Sequence, residues 1–161
     1  MAYFYSLAVD CGSEAAASAC ADHFLSPGAM PADIPVDLSV RQASDDNAWW
    51  TVIVPSDEST SGVISAEVRQ SLSAAGDALL DRLRSAPAFR FAIIGVEAEQ
   101  AISLGEFDAT LGADPTLAER YHGLVVADEL LDRLASPTGF EPFAPGYHWI
   151  PYRGERFDPA G

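Results

Sequence analysis

The chain has 161 residues, 48% of them hydrophobic and 20% charged, enough apolar material for one domain with a substantial core. Its 24 acidic residues against 9 basic ones give a formal net charge of -15, and every basic residue is an arginine. A field of that sign repels phosphate backbones and anionic headgroups, so nucleic acid and membrane surfaces are poor partners, whereas encounter with a cationic protein is accelerated.

The first ten residues alternate instead of forming a basic and then apolar leader, and no apolar run approaches a spanning length, so a cytoplasmic protein is expected. Tyr3, Tyr5, Leu7 and Val9 alternate with Phe4, Ser6, Ala8 and Asp10, the period of a strand. Ser13 then caps a helix to about Leu25, with Ala16, Cys20 and Phe24 repeating every four residues, and Pro27, Gly28 and Pro31 end it. Val36, Leu38 and Val40 alternate with Asp37, Ser39 and Arg41 in a half-buried or edge strand. The polar residues 44–47 turn the chain into a richer strand over residues 49–54, closed by Pro55. One of Trp49 and Trp50 must point away from the helices, because strand neighbours face opposite sides.

Ile64, Val68, Leu72, Ala75, Leu79 and Leu83 mark one face of a long helix capped by Ser65 and stopped before Pro87. Phe89, Phe91 and Ile93 open a fourth strand that reaches Val96. The order is that of an α+β, ferredoxin-like βαββαβ core over residues 1–97 of a single domain spanning residues 1–161, with two helices on one sheet face and the other face open. Residues 98–161 form a C-terminal extension. Residues 98–111 suit a helix and an extended segment equally and are left unassigned, the segment around Thr116 and Leu117 suits a short helix, and residues 123–126 read as a brief strand or an extended entry to a helix bearing Leu130, Leu131 and Leu134. Four prolines among residues 137–151 forbid a long helix, so the aromatic tail is expected as an ordered irregular wrap or a strand that packs on the sheet.

Chemistry is sparse. His23, His122 and His148 lack metal-motif spacing, and no phosphate-binding glycine loop, nucleophile elbow or C-x-x-C occurs, so neither a metal nor a cofactor is expected. Cys11, just ahead of a helix, has one of the two conditions for a nucleophile, although buried cysteines are the commoner case. Tyr147, Trp149 and Tyr152 with Arg153 are residue types enriched at interface hot spots. The acidic pairs Asp45 with Asp46 and Asp57 with Glu58 lie in turns on either side of the strand that carries Trp49. These nine residues form the candidate partner-binding set.

In its small single-domain α+β build, its acidity, the hairpin bearing Asp45 and Asp46 and its acidic helix ends, the chain resembles bacterial toxin-immunity proteins as a broad class. The resemblance matches no family motif and transfers no residue. It implies a non-catalytic protein that neutralises a basic, nuclease-like toxin through carboxylates that mimic phosphate. The alternative is a small-molecule-binding protein or enzyme with a pocket between sheet and tail, where His122, His148 and Cys11 would have to converge. Either a monomer or a homodimer joined through the sheet accords with the expected fold.

Overall fold

The computed structural model describes residues 2–3, 5–43, 47–55, 60–61, 66–96, 122–134 and 139–155. Its centre is strand β2 (Tyr5–Gly12), which follows the short β1 (Ala2–Tyr3) and is buried at every residue from Tyr5 to Cys11. A strand covered on both faces needs two layers, and the chain supplies them. On one face Tyr5, Leu7, Val9 and Cys11 meet helices α1 (Glu14–Leu25) and α2 (Ala66–Leu83) through Ala17, Cys20, Phe24, Leu72, Leu79 and Leu83. Helix α1 starts where expected, with Ser13 Oγ accepting from Ala16 N at 3.2 Å. Its buried stripe runs through Ala17 and Ala21 rather than Ala16.

Strands β3 (Val36–Gln42) and β4 (Trp49–Pro55) form the expected hairpin, in unbroken register from Val36 opposite Pro55 to Gln42 opposite Trp49. β4 pairs with β2 on one side, and β6 (Phe91–Val96) pairs with β2 on the other. The short β5 (Thr60–Ser61) pairs only with β1. Trp49 faces the helix layer, and Trp50 is the one that faces away, edge-on to Phe91 with ring centroids 5.3 Å apart. The expectation that Phe89 shares a face with Phe91 and Ile93 fails at Arg90. Phe89 precedes the strand and packs in the helix-side core, whereas Phe91 and Ile93 belong to the opposite face.

The ferredoxin-like βαββαβ assignment, with a tail laid across an open face, is corrected by the course of the C-terminal third. β7 (Val125–Ala127) pairs antiparallel with β6, β9 (Tyr147–Trp149) with β7, and β8 (Glu141–Ala144) with β9. The result is one seven-stranded antiparallel sheet in the order β3-β4-β2-β6-β7-β9-β8. The physical reason is backbone satisfaction. The outer edge of β6 accepts β7, so the aromatic tail makes main-chain hydrogen bonds in the sheet plane, and Pro142 is tolerated because β8 is the outermost strand. The face expected to be open carries a second core, in which Leu124, Val126, Leu130, Leu134 and Ile150 cover Ala8, Trp50, Val52 and Phe91. Leu130 projects from the one-turn helix α3 (Asp128–Leu131). No helix among the described residues is long and apolar enough to cross a membrane.

Beyond β9 the chain returns over α2, where Tyr152 joins the helix-side core and its hydroxyl lies 2.7 Å from that of Tyr5. Gly76 of α2 makes room for this pair, since a Cβ there would stand 2.7 Å from the Tyr152 hydroxyl and closer still to that of Tyr5. Gly76→Ala should therefore lose about 2 kcal/mol of stability by chemical denaturation, against the gain of about 1 kcal/mol that alanine brings to an open helix site. Adding Tyr5→Phe should restore part of that loss.

Candidate functional site

The buried carboxylate of Asp10 lies at the end of the sheet where β2, β6, β7 and β9 come together. Its side chain has no solvent exposure, and the Arg90 guanidinium grips it in a two-point fork, Nε to Oδ1 at 2.7 Å and Nη2 to Oδ2 at 2.8 Å. Gly12 N also donates to Oδ1, at 3.0 Å, from a left-handed conformation (φ 80°) that closes the bulge ending β2. The Arg90 backbone extends the link: its N–H donates to the Asp10 carbonyl, and its own carbonyl accepts from Ala127 of β7. Beside it lies a cavity of about 400 Å³, lined by Phe89, Arg90, Asp128, Leu130 and Tyr147 among others. The Tyr147 ring stacks on Phe89 at 4.3 Å, and its hydroxyl accepts from Phe89 N and donates to Phe89 O. On the rim, His148 Nδ1 and Asp128 Oδ1 are 2.7 Å apart.

The residues that an acid/base or nucleophilic mechanism would need do not converge. His122 stacks on Tyr152, with its Nδ1 accepting from Arg153 N, ahead of β7, whereas His148 pairs with Val126 within that strand. Cys11 is buried, with its thiol beside Val9 O and Thr51 Oγ1. The neighbouring Cys11 thiol and burial push the Cys20 thiol well above the ordinary thiol range. Thr51 completes this interior group by donating to Ala17 O at 2.7 Å. Among the described residues no three metal-ligating side chains come together.

Of the candidate partner-binding residues, Asp45, Asp46, Asp57 and Glu58 lie outside the described residues. Trp49, Tyr147, Trp149 and Tyr152 are half-buried and pack against the helix-side core. Trp149 and Phe143 form an aromatic pair under the Arg84 guanidinium, 4.9 and 4.3 Å from it, and Arg84 also donates to Phe143 O. Arg153 is exposed. A different acidic surface comes into view on the helix layer. Glu14 and Asp22 of α1, Glu67, Asp77 and Asp81 of α2, and Asp33 of the loop against α2 are all exposed. The neighbouring Arg82 is turned onto the protein itself, with Nε and Nη2 donating to His23 O at 3.1 and 2.8 Å. Helical spacing in the sequence would have placed the three α2 carboxylates, Glu67, Asp77 and Asp81, opposite the Leu72 and Leu79 stripe.

Comparison of the chain with protein-family models, with characterised proteins and with solved structures finds no match.

One titratable chain remains. Tyr5 donates to Tyr152, which donates to Glu155 Oε1 at 2.9 Å, while Glu155 N donates to Ser73 Oγ at 2.8 Å. Burial raises both tyrosine hydroxyls above the ordinary phenol range and raises the Glu155 carboxyl above the ordinary carboxylate range, with the Tyr152 bond opposing only part of the Glu155 shift. A raised carboxyl favours the folded state while protonated, and that contribution is lost as pH climbs through its folded pKa. Glu155→Gln should therefore gain melting temperature relative to the parent chain between about pH 4 and about pH 7, as followed by thermal scans across that range.

Proposed function

We propose that the chain is a non-catalytic acidic binding protein that docks its helix layer on a basic protein in the cytoplasm. The specific form of the proposal is an immunity protein for a nuclease-like toxin. The observation that carries it is how charge is disposed on that layer. Glu14, Asp22, Asp33, Glu67, Asp77 and Asp81 stand in solvent, while the half-buried Arg82 bonds the His23 carbonyl and Arg84, itself exposed, lies over two aromatic rings. Exposed carboxylates of this kind act by steering encounter and fixing register more than by adding raw affinity, and steering is what a protein of net charge -15 does well.

A second reading, a small-ligand protein, is favoured by the cavity of about 400 Å³ beside Tyr147 and Asp128, which falls within the size range of ligand sites. It requires a purified chain that retains or takes up a small molecule, and it is lost if filling the cavity with Leu130→Trp leaves uptake unchanged.

The docking proposal is tested by capture from the source organism at low salt, followed by binding kinetics with the recovered protein. A cationic partner is expected. Its association rate should fall on the order of tenfold as ionic strength is raised to the physiological value, and by several-fold with Asp77→Asn/Asp81→Asn. Co-expression with that partner should relieve its toxicity. A partner without excess positive charge, or an association rate indifferent to salt, contradicts the proposal.

A further inference from the structure

We infer that β3 is the seam of a homodimer, in which two copies of the chain join edge to edge and continue one antiparallel sheet across a twofold axis at Ser39. This inference is independent of the partner proposed above. β3 is the terminal strand of the sheet, and among the described residues nothing pairs with its outer side. An edge of seven residues is a template for a further strand, and natural edges are usually blunted by a bulge, a proline or charged side chains, lysine above all. β3 has no bulge in its register with β4 and no proline or lysine in Val36–Gln42, and its two charges, Asp37 and Arg41, are of opposite sign.

The hydrogen-bond parity of the strand limits how a second copy can sit. Ala43 N donates to Ala48 O at 2.8 Å, so in the hairpin Ala43, Arg41, Ser39 and Asp37 direct their main-chain groups at β4. Val36, Leu38, Val40 and Gln42 consequently direct theirs outward. Two copies can bond only in registers that set these outward residues against one another. With the twofold axis at Ser39, Leu38 exchanges both bonds with Val40 of the other copy and Val36 exchanges both with Gln42. Ser39 then faces Ser39, and Asp37 faces Arg41, in the non-bonded pairs where side chains approach most closely.

Charge selects this register from its neighbours. Moving the axis to Asp37 sets two aspartates face to face, and moving it to Arg41 sets two arginines face to face. An axis at Leu38 or Val40 pairs no opposite charges. Only the Ser39 axis makes two Asp37–Arg41 pairs, and both residues are exposed and on the same face of the strand. On the other face it sets Val40, at 36% exposure one of only two exposed large hydrophobics among the described residues, against Leu38 of the second copy. General repulsion between two chains of net charge -15 is screened beyond about 8 Å at physiological salt, so these contacts decide the outcome.

The test is the mass of the purified full chain by sedimentation equilibrium, together with a charge exchange. The parent chain should be dimeric. Asp37→Arg and Arg41→Asp should each weaken the dimer on the order of tenfold or more, and Asp37→Arg/Arg41→Asp should restore it. Circular dichroism checks that each variant keeps its fold. Ser39→Cys should form a covalent dimer under mild oxidation, because a non-bonded antiparallel pair puts its Cα atoms about 4.5 Å apart, within disulfide reach. A parent chain that stays monomeric at every accessible concentration overturns the inference. So does a dimer that the single substitutions leave unchanged, a double substitution that fails to recover it, or a Ser39→Cys chain that cross-links no faster than Ser18→Cys on the exposed side of α1.

Discussion

A strand buried on both faces that nevertheless carries a carboxylate is the constraint from which the rest of the architecture follows. β2 has apolar neighbours above and below, and Asp10, near its end, has no exposure at all. An ionised carboxylate in such a place is tolerated only with a charged partner and further donors, which Arg90 and Gly12 N provide. Because Arg90 also bonds through its main chain to Asp10 on one side and Ala127 on the other, the residue that holds the buried carboxylate also anchors the last residue of β7. β9 and β8 are then added to β7, and the second core closes beneath them.

The same economy explains the surface. Arginines at three key places are held by protein groups: Arg90 by Asp10, Arg82 by the His23 carbonyl, and Arg84 by the Phe143 carbonyl and two aromatic rings. A guanidinium suits these positions because it is planar, forked and weakly hydrated, whereas a lysine ammonium would lose both the fork and the stacking. The absence of lysine therefore has a structural counterpart. With Arg82 and Arg84 engaged in these contacts, fewer cationic groups on the helix layer are left to face its exposed carboxylates.

How much of this the sequence disclosed depended on the length of the pattern involved. The two long helices and the β3–β4 hairpin were legible because each carries its period over seven residues or more, and Ser13 marks its helix start by a side-chain cap. Strands β7, β8 and β9 were legible only as one of two alternatives, a brief strand or an extended helix entry for β7 and an irregular wrap or a strand for the tail, because three or four residues hold no measurable period and Pro142 and Pro145 read as breakers before they read as an edge. The seven-stranded sheet was hidden for that reason. The contacts that organise its ends join residues far apart in sequence, Asp10 with Arg90 and Tyr5 with Tyr152, and no spacing announces them. The acidic character was plain from composition. That Asp10 is an exception to it, and that α2 displays the exposed carboxylates of Glu67, Asp77 and Asp81, required the fold.

The central claim is that the Asp10–Arg90 pair is a structural bond on which the joining of β2, β6 and β7 depends. The direct measurement is a double-mutant cycle of Asp10→Ala and Arg90→Ala on the free energy of unfolding. The account predicts a coupling of about 2–3 kcal/mol, below the top of the range for wholly buried pairs because the Arg90 side chain keeps 34% of its exposure. Single substitutions that each cost under about 1 kcal/mol and add without coupling would contradict it.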